Sequence, residues 1–406
     1  MSGIESGSAA WMFMSIALVL LMTPGLAFFY GGLASSKDTV NTMKMSFIAL
    51  GLIAVEWALV GYSFSFSEGS AFIGGFKYFG LSGVGEEVNA NLAEGIPHLA
   101  FMLFQMMFAI ITPALISGAI IGRMPFKSYI LFIVAWAICV YNPICHWIWG
   151  PGGWAHNFTS LDFAGGTVVH ISAGVSALVA AYILGPRTHD HDHVPHNVPF
   201  VLLGASLLWF GWFGFNGGSA LAADGLASLA LVNTNLAAAA AICAWVLIEI
   251  ASHGKTTAVG ASIAAVIGLV AITPAAGFVS PLSAMSIGFI TAIICYFSLK
   301  TIGRSQVDDA LDVFACHGVG GIAGALLTGV FASKSVNPSG YDGLLFGETQ
   351  LMWGQLVTVL ATIFYSAIVT TIIMKVLKLT MGIRNEDGEA SGMDDREHGE
   401  KAYHIA

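Results

Sequence analysis

The 406-residue chain is 56% hydrophobic and only 10% charged, with a formal net charge of −9. A soluble globular protein carries about 25% charged residues, so this chain lacks the polar surface of an ordinary water-soluble domain. The acidic balance also offers no basic patch for nucleic-acid phosphates. A mean hydropathy of +0.79, with recurrent apolar runs longer than about 18 residues, predicts an all-α polytopic membrane protein. The 48 glycines fit that class, because small residues let membrane helices approach closely. Cys139, Cys145, Cys243, Cys295 and Cys316 lie inside apolar runs at no CxxC spacing, and read as small buried hydrophobes. Met1 to Ala9 lacks the basic stretch of a cleaved signal.

Eleven membrane spans are predicted, over 9–34, 43–66, 97–121, 126–148, 162–185, 197–217, 225–251, 256–273, 279–299, 309–332 and 350–378. An odd number puts the termini on opposite sides. Lys77 and Lys334 fall on one side and the remaining Lys and Arg of the 15 on the other. The positive-inside rule then places the N-terminus outside and the C-terminus in the cytoplasm. The longest connection, 67–96, is polar and carries Glu68, Glu86, Glu87 and Glu94. The simplest partition is one membrane domain, 1–380, followed by a cytoplasmic tail, 381–406.

Within the spans, Glu56 is a mid-span acid that nothing in the pattern explains. Span 3 carries Phe101, Phe104 and Phe108; span 4 exits through His146-Trp147-Ile148-Trp149-Gly150; span 6 exits through Trp212-Phe213-Gly214-Phe215-Asn216-Gly217-Gly218-Ser219. Aromatic faces beside a hydroxyl suit a small desolvated cation, through a cation–π attraction of about 2 kcal/mol; an interfacial aromatic belt is the other reading of the same tryptophans. Glu249 falls at the end of span 7 and reads as structural.

An internal repeat is more informative. Asp162-x7-His170 in span 5 and Asp309-x7-His317 in span 10 both fit D-x7-H-x2-[AG]-G-[VI]-[SA]-[AG]. They lie five spans apart, so the copies run in opposite directions. This predicts an inverted 5+5 repeat, spans 1–5 and 6–10, plus a final long helix, with its site near the midplane. Eight helical residues rise about 12 Å, which would carry both histidines to mid-depth from opposite faces. Paired imidazoles there can share or relay a proton; two helix-packing histidines are the structural alternative.

The run Arg187 to His196 alternates Asp and His and reads as a metal loop or a hydrophilic turn; adjacency of ligand types is not geometry, and neither metal nor cofactor is predicted. HExxH, GxSxG and P-loop motifs are absent, so the chain does not read as an enzyme, and no TVGYG-type filter is present.

Together these residues resemble the Amt/Mep/Rh ammonium transporter family, in its bacterial Amt branch. The resemblance rests on Asp162-Phe163-Ala164-Gly165-Gly166-Thr167-Val168-Val169-His170 running on to Gly185-Pro186-Arg187, on Phe29-Tyr30-Gly31-Gly32-Leu33, and on Trp212-Phe213-Gly214-Phe215-Asn216. Asp312-Val313-Phe314-Ala315-Cys316-His317-Gly318 and the tail from Gly392 to Tyr403 extend it. It implies an ammonium site at Phe108, Trp149 and Ser219, joined by Phe104, and a gate of Phe108 over Phe215. It also implies a supporting acid at Asp162 and a pore lined by His170 and His317. The family pattern further implies a homotrimer with one pore per subunit in the cell membrane, and a cytoplasmic PII-type regulator. The mechanism expected is binding of ammonium, loss of its proton and conduction of ammonia, with the proton following electrogenically. An ammonium sensor on the same scaffold is the alternative from another class; a gas channel of the Rh type fits less well beside Trp149 and Ser219.

Overall fold

In the computed structural model, residues 3–188 and 194–403 are described; His189 to His193, the centre of the histidine- and aspartate-rich run, lie outside them. Among the described residues, ten helices are long and apolar enough to span a bilayer: α1 (Ser6–Leu33), α2 (Thr39–Phe66), α3 (His98–Ile120), α4 (Phe126–Trp149), α5 (Gly166–Leu184), α6 (Val198–Ala220), α7 (Gly225–His253), α9 (Pro281–Ile302), α10 (Phe314–Phe331) and α11 (Gln350–Thr380). An eleventh, α8 (Ala258–Ile272), is apolar but has only 15 residues, or about 22 Å of rise, so the span predicted over 256–273 is shorter than drawn. Its first turn is capped by Thr257, whose hydroxyl accepts from the Gly260 N–H at 2.9 Å. Pro274, just past its end, cannot donate to a continuing helix. Glu249 accepts from the Thr257 backbone and hydroxyl at 2.9 and 2.8 Å, which ties α7 to α8 and confirms a structural role.

The two faces are distinguishable from the ends of α1. At its start, the Glu5 N–H bonds the Gly95 carbonyl at 2.8 Å, within the long connection after α2. Beyond its end, the Lys37 carbonyl accepts from the Asp394 N–H of the tail at 3.1 Å. The N-terminus and the tail therefore sit on opposite faces. The tail is folded onto its face: α12 (Glu386–Ser391) is followed by a wide turn, Asp394–His398. Asp394 accepts from the Val40 and Asn41 N–H groups at 2.9 and 2.7 Å, and Glu397 from that of Phe126 at 3.1 Å. Each carboxylate thus meets the positive N-terminal end of a spanning helix, α2 or α4. Arg384 pairs with Glu389 at 2.8 Å and donates to the Pro186 carbonyl at 2.7 Å, fixing the exit of α5. Beside it, burial pushes the Asp308 carboxyl up, but hydrogen bonds and charge from Arg187, with Arg123 nearby, hold it at about 2.

The repeat is realised differently from the expectation in one respect. Residues 162–165 are not helical; α5 begins at Gly166 and α10 at Phe314, so each histidine lies in the first turn of its helix rather than eight residues along it. Gly165 at φ +113° and Asp312 at φ +57° turn the chain into these starts. Both first segments, Gly166–Ile171 and Phe314–Val319, are π-helical, wide turns that recur at functional positions.

The two helices cross where the repeated motif has glycine four residues after histidine. A Cβ on Gly174 would lie 2.1 Å from the Gly318 nitrogen, and one on Gly321 would lie 3.0 Å from the Gly166 carbonyl oxygen and 3.1 Å from His170 Cβ. Each copy's glycine thus receives the other copy's histidine turn. Gly174→Val should therefore prevent assembly of the crossing and lower thermal stability in detergent sharply, since overpacking even a yielding core costs about 1–3 kcal/mol. Gly51→Val, where nothing lies within 4 Å, should leave the melting temperature unchanged; equal melting of the two variants would refute the crossing.

Candidate functional site

Asp162 organises the start of α5. Its carboxylate accepts from four consecutive backbone N–H groups, Gly165 at 2.9 Å, Gly166 at 2.6 Å, Thr167 at 2.8 Å and Val168 at 3.1 Å. Its backbone carbonyl accepts from Trp149 Nε1 at 2.9 Å. The residue is therefore a cap and an anchor for Trp149, and its oxygens are engaged. Asp309 does the equivalent work at α10, accepting from the Phe314 N–H at 2.7 Å.

From that anchor a file of rings runs inward. Trp149 meets Phe108 edge-on at 5.9 Å between centroids, and Phe108 stacks on Phe215 at 4.2 Å. Phe215 lies 6.0 Å from His170, and His170 5.3 Å from His317. Trp212 stacks on His170 at 5.5 Å and is held by its Nε1–H donating to Thr273 Oγ1 at 2.9 Å. The stacked phenyl rings lie between Trp149 and His170 in this file. His170 and His317 are 1% and 4% exposed, and their Nδ1 atoms approach to 3.2 Å. That contact requires one Nδ1 to carry a proton and the other a lone pair, so the neutral rings hold opposite tautomers. His170 Nε2 is buried without a partner.

A cavity of about 190 Å³ opens at the N-terminal face, lined by Phe101, Gln105, Phe108, Trp149, Ser219 and Leu221 among others. Ser219 donates its hydroxyl proton to the Phe215 carbonyl at 2.8 Å, which leaves its lone pairs to accept. Phe104 is placed otherwise than expected. It is 0% exposed and packs edge-on behind Phe108 at 4.9 Å, outside the cavity lining. Phe101, Gln105 and Phe108 line the cavity from α3; Phe104 belongs to the same helical stripe, but its ring packs behind Phe108. Gln105, unmarked by any sequence pattern beyond being the polar member of that stripe, takes the place. At the tail face a larger cavity, about 730 Å³, is lined by Asp38, Arg187, Asp308, Asp309 and Asp312 among others. Burial, reinforced by the Asp309 charge, raises the Asp312 carboxyl to about 7.

Glu56 does not face this file. Its Oε1 accepts from Asn142 Nδ2 at 2.8 Å, which links α2 to α4 beside the π-helical turn Trp57–Gly61. No group of three or more His, Cys, Asp or Glu in a metal-holding arrangement occurs among the described residues.

Known proteins resemble this chain over nearly its whole length. The family model described as "Ammonium Transporter Family" matches residues 10–403. An ammonium transporter of Bacillus subtilis (strain 168) is 48% identical, over 98% of this chain and 99% of its own length. One from Aquifex aeolicus (strain VF5) is 48% identical over 99% and 94%. Among solved structures, Candida albicans Mep2 superposes with a TM-score of 0.89 at 35% identity, over 95% of this chain and 88% of that one. A structure titled "Sensor Amt Protein" superposes with a TM-score of 0.89 at 29% identity, over 97% and 98%.

The capping role of Asp162 predicts the cost of its loss. Asp162→Ala strips acceptors from four N–H groups and should destabilise the protein by about 2 kcal/mol or more, the upper end of cap deletions. Asp224→Ala, which removes one bond to the Ala227 N–H at 2.9 Å, should cost less. Thermal unfolding in detergent compares them, and the opposite ranking would remove Asp162 as the organiser of α5.

Proposed function

This chain belongs to the ammonium transporter family and is a multi-pass ammonium transporter of the cell membrane, and on that premise we propose a route and a chemistry. Ammonium enters from the N-terminal face, which the distribution of Lys and Arg makes the outside. It is held by the π faces of Phe108 and Trp149 and the Ser219 oxygen, while Asp162 supports Trp149. Beyond the Phe108–Phe215 gate the path is a file of rings ending at two neutral imidazoles. A charged ion in such surroundings is disfavoured by several kcal/mol, so ammonium sheds its proton near the gate and crosses as ammonia past His170 and His317. Potassium has no proton to shed and is excluded. The observation that carries this reading is the 3.2 Å Nδ1–Nδ1 contact at the inner end of the ring file, because a shared proton on that pair gives the released proton a path of its own.

The same reading assigns residues 1–380 to transport and 381–406 to a cytoplasmic tail. The folded tail, with its exposed acids and adjoining short connections, is a docking surface for a PII-type regulator. The working unit is a homotrimer with one pore per subunit. Transport rather than sensing is favoured by the higher identity to proteins named as transporters than to the sensor structure.

Two measurements test the proposal. Trp149→Leu keeps an apolar side chain but removes a π face worth about 2 kcal/mol when desolvated, so uptake at limiting ammonium should fall roughly thirtyfold. Equal uptake would remove Trp149 from the site. In reconstituted liposomes, His170→Ala or His317→Ala should cut the ammonium-evoked current while the folded trimer persists. His170→Asp, which keeps an ionisable group, should retain more current and admit potassium, since a carboxylate in a pore can hold a cation. Unaltered ammonium current with full potassium exclusion in both alanine variants would reduce the pair to helix packing.

A further inference from the structure

His146 is a buried titratable group that the transport route does not use. It lies in the last turn of α4 and is 0% exposed. Its Nδ1 is 3.0 Å from the Ser65 carbonyl oxygen, and its Nε2 is 2.9 Å from that of Ser70. A carbonyl oxygen has no proton to give, so each ring nitrogen must donate. A neutral imidazole carries one N–H, and only the imidazolium carries two. The two contacts together therefore require a cation.

The surroundings suit that charge. Ser65 is in the last turn of α2, where carbonyls have no partner within the helix. The Ser63 carbonyl there is met by the Ser67 N–H at 3.1 Å and the Phe64 carbonyl by the Gly74 N–H at 2.8 Å; His146 meets the third. Because α2 and α4 both end at this face, the ring lies between two helix C-termini, whose partial negative charge complements a cation. Among the described residues no carboxylate bonds it. Glu68 of the same connection is exposed and pairs with Lys77 at 3.9 Å, Asp162 bonds the start of α5, and the neighbouring Cys145 thiol is buried.

The Ser70 contact fastens the outer loop. The same loop is held to the end of α4 by Trp147 Nε1, which donates to the Phe72 carbonyl at 2.8 Å. A Cβ on Gly150 would lie 2.5 Å from His146 Nδ1, so the ring sits against the backbone that follows Trp149. We propose that His146 is a positioning residue and a proton-held clasp. Its two N–H groups tie the end of α2 and the outer loop to the end of α4 and so hold Trp149 in place. Loss of one proton to the outside leaves one carbonyl without its donor and opens the clasp. Histidine changes charge between about pH 5 and 8 more readily than any other side chain, so the outer mouth responds to external pH.

The loop itself is one readout; the effect on capture rests on the reading of Trp149 as part of the ammonium site. Backbone hydrogen exchange over 67–75, and half-saturation for methylammonium, which keeps its proton throughout, are followed from about pH 6 to about pH 9. Exchange, corrected for its intrinsic pH dependence, should be about tenfold faster at the alkaline end, as for loss of one charge-assisted hydrogen bond. Half-saturation should rise with the same midpoint. In nitrogen-15 histidine spectra at the acid end, the signal missing from His146→Gln should carry protons on both nitrogens. His146→Gln, which is never charged, should exchange fast and lose both pH responses. His98, whose Nε2 lies 2.6 Å from the Tyr62 hydroxyl of α2, and His156, whose N–H bonds the Trp147 carbonyl at 2.7 Å, are the neighbouring histidines; His98→Gln and His156→Gln should keep the exchange response. Flat corrected exchange in the parent, which needs no variant to fold, overturns the proposal. So does a bare nitrogen on His146 at the acid end, or a response retained in His146→Gln. If exchange responds but half-saturation does not, Trp149→Leu decides: weakened capture there removes the positioning role, and unchanged capture removes Trp149 from the ammonium site.

Discussion

The arrangement depends on one close approach, the crossing of α5 and α10 at Gly174, Gly318 and Gly321. Backbone meets backbone there because no side chain intervenes; a Cβ on Gly174 would lie 2.1 Å from the Gly318 nitrogen. Such contact is available only to small residues, which is how helices associate in a bilayer where burial of apolar surface drives nothing. Its consequence is chemical. The crossing lies within a turn of both histidines, and it is what brings two Nδ1 atoms from antiparallel helices to 3.2 Å.

Around that point several polar groups of the membrane domain are engaged in structure: Asp162 and Asp309 cap helices that begin inside the protein, Glu249 bonds the cap residue of α8, and Glu56 bridges to Asn142. A polar group without a partner is costly in an apolar interior, and the buried atoms left without one include His170 Nε2 as well as Glu56 Oε2 and Asp309 Oδ1. Phe108 and Phe215 stack at 4.2 Å, and on the proposed route they part to let a small, stripped species pass.

The tail adds electrostatics at the opposite face. Asp394 and Glu397 stand at the N-terminal ends of α2 and α4, and Arg384 at the carbonyl end of α5. Each charge is matched to the helix end it meets. The tail is therefore a set of caps in the folded protein rather than an appended peptide, and anything that binds it acts on three spanning helices directly.

Composition and hydropathy determined the class and nearly all of the helices, because a bilayer admits few other solutions for a chain this apolar. The D-x7-H repeat at a five-span separation determined that two histidines converge from antiparallel helices, and the aromatic exits of spans 4 and 6 carried Trp149, Phe215 and Ser219. Tertiary structure decided the rest. The sequence could not show that α5 and α10 start only at Gly166 and Phe314, since a backbone turn at Gly165 or Asp312 leaves no periodic signal. Nor could it choose between Phe104 and Gln105, because helical periodicity puts both on one stripe without saying which side chain reaches the cavity. That choice is made by the neighbours: α3 is rotated so that Phe104 packs behind Phe108, leaving the one polar side chain of the facing row in the vestibule.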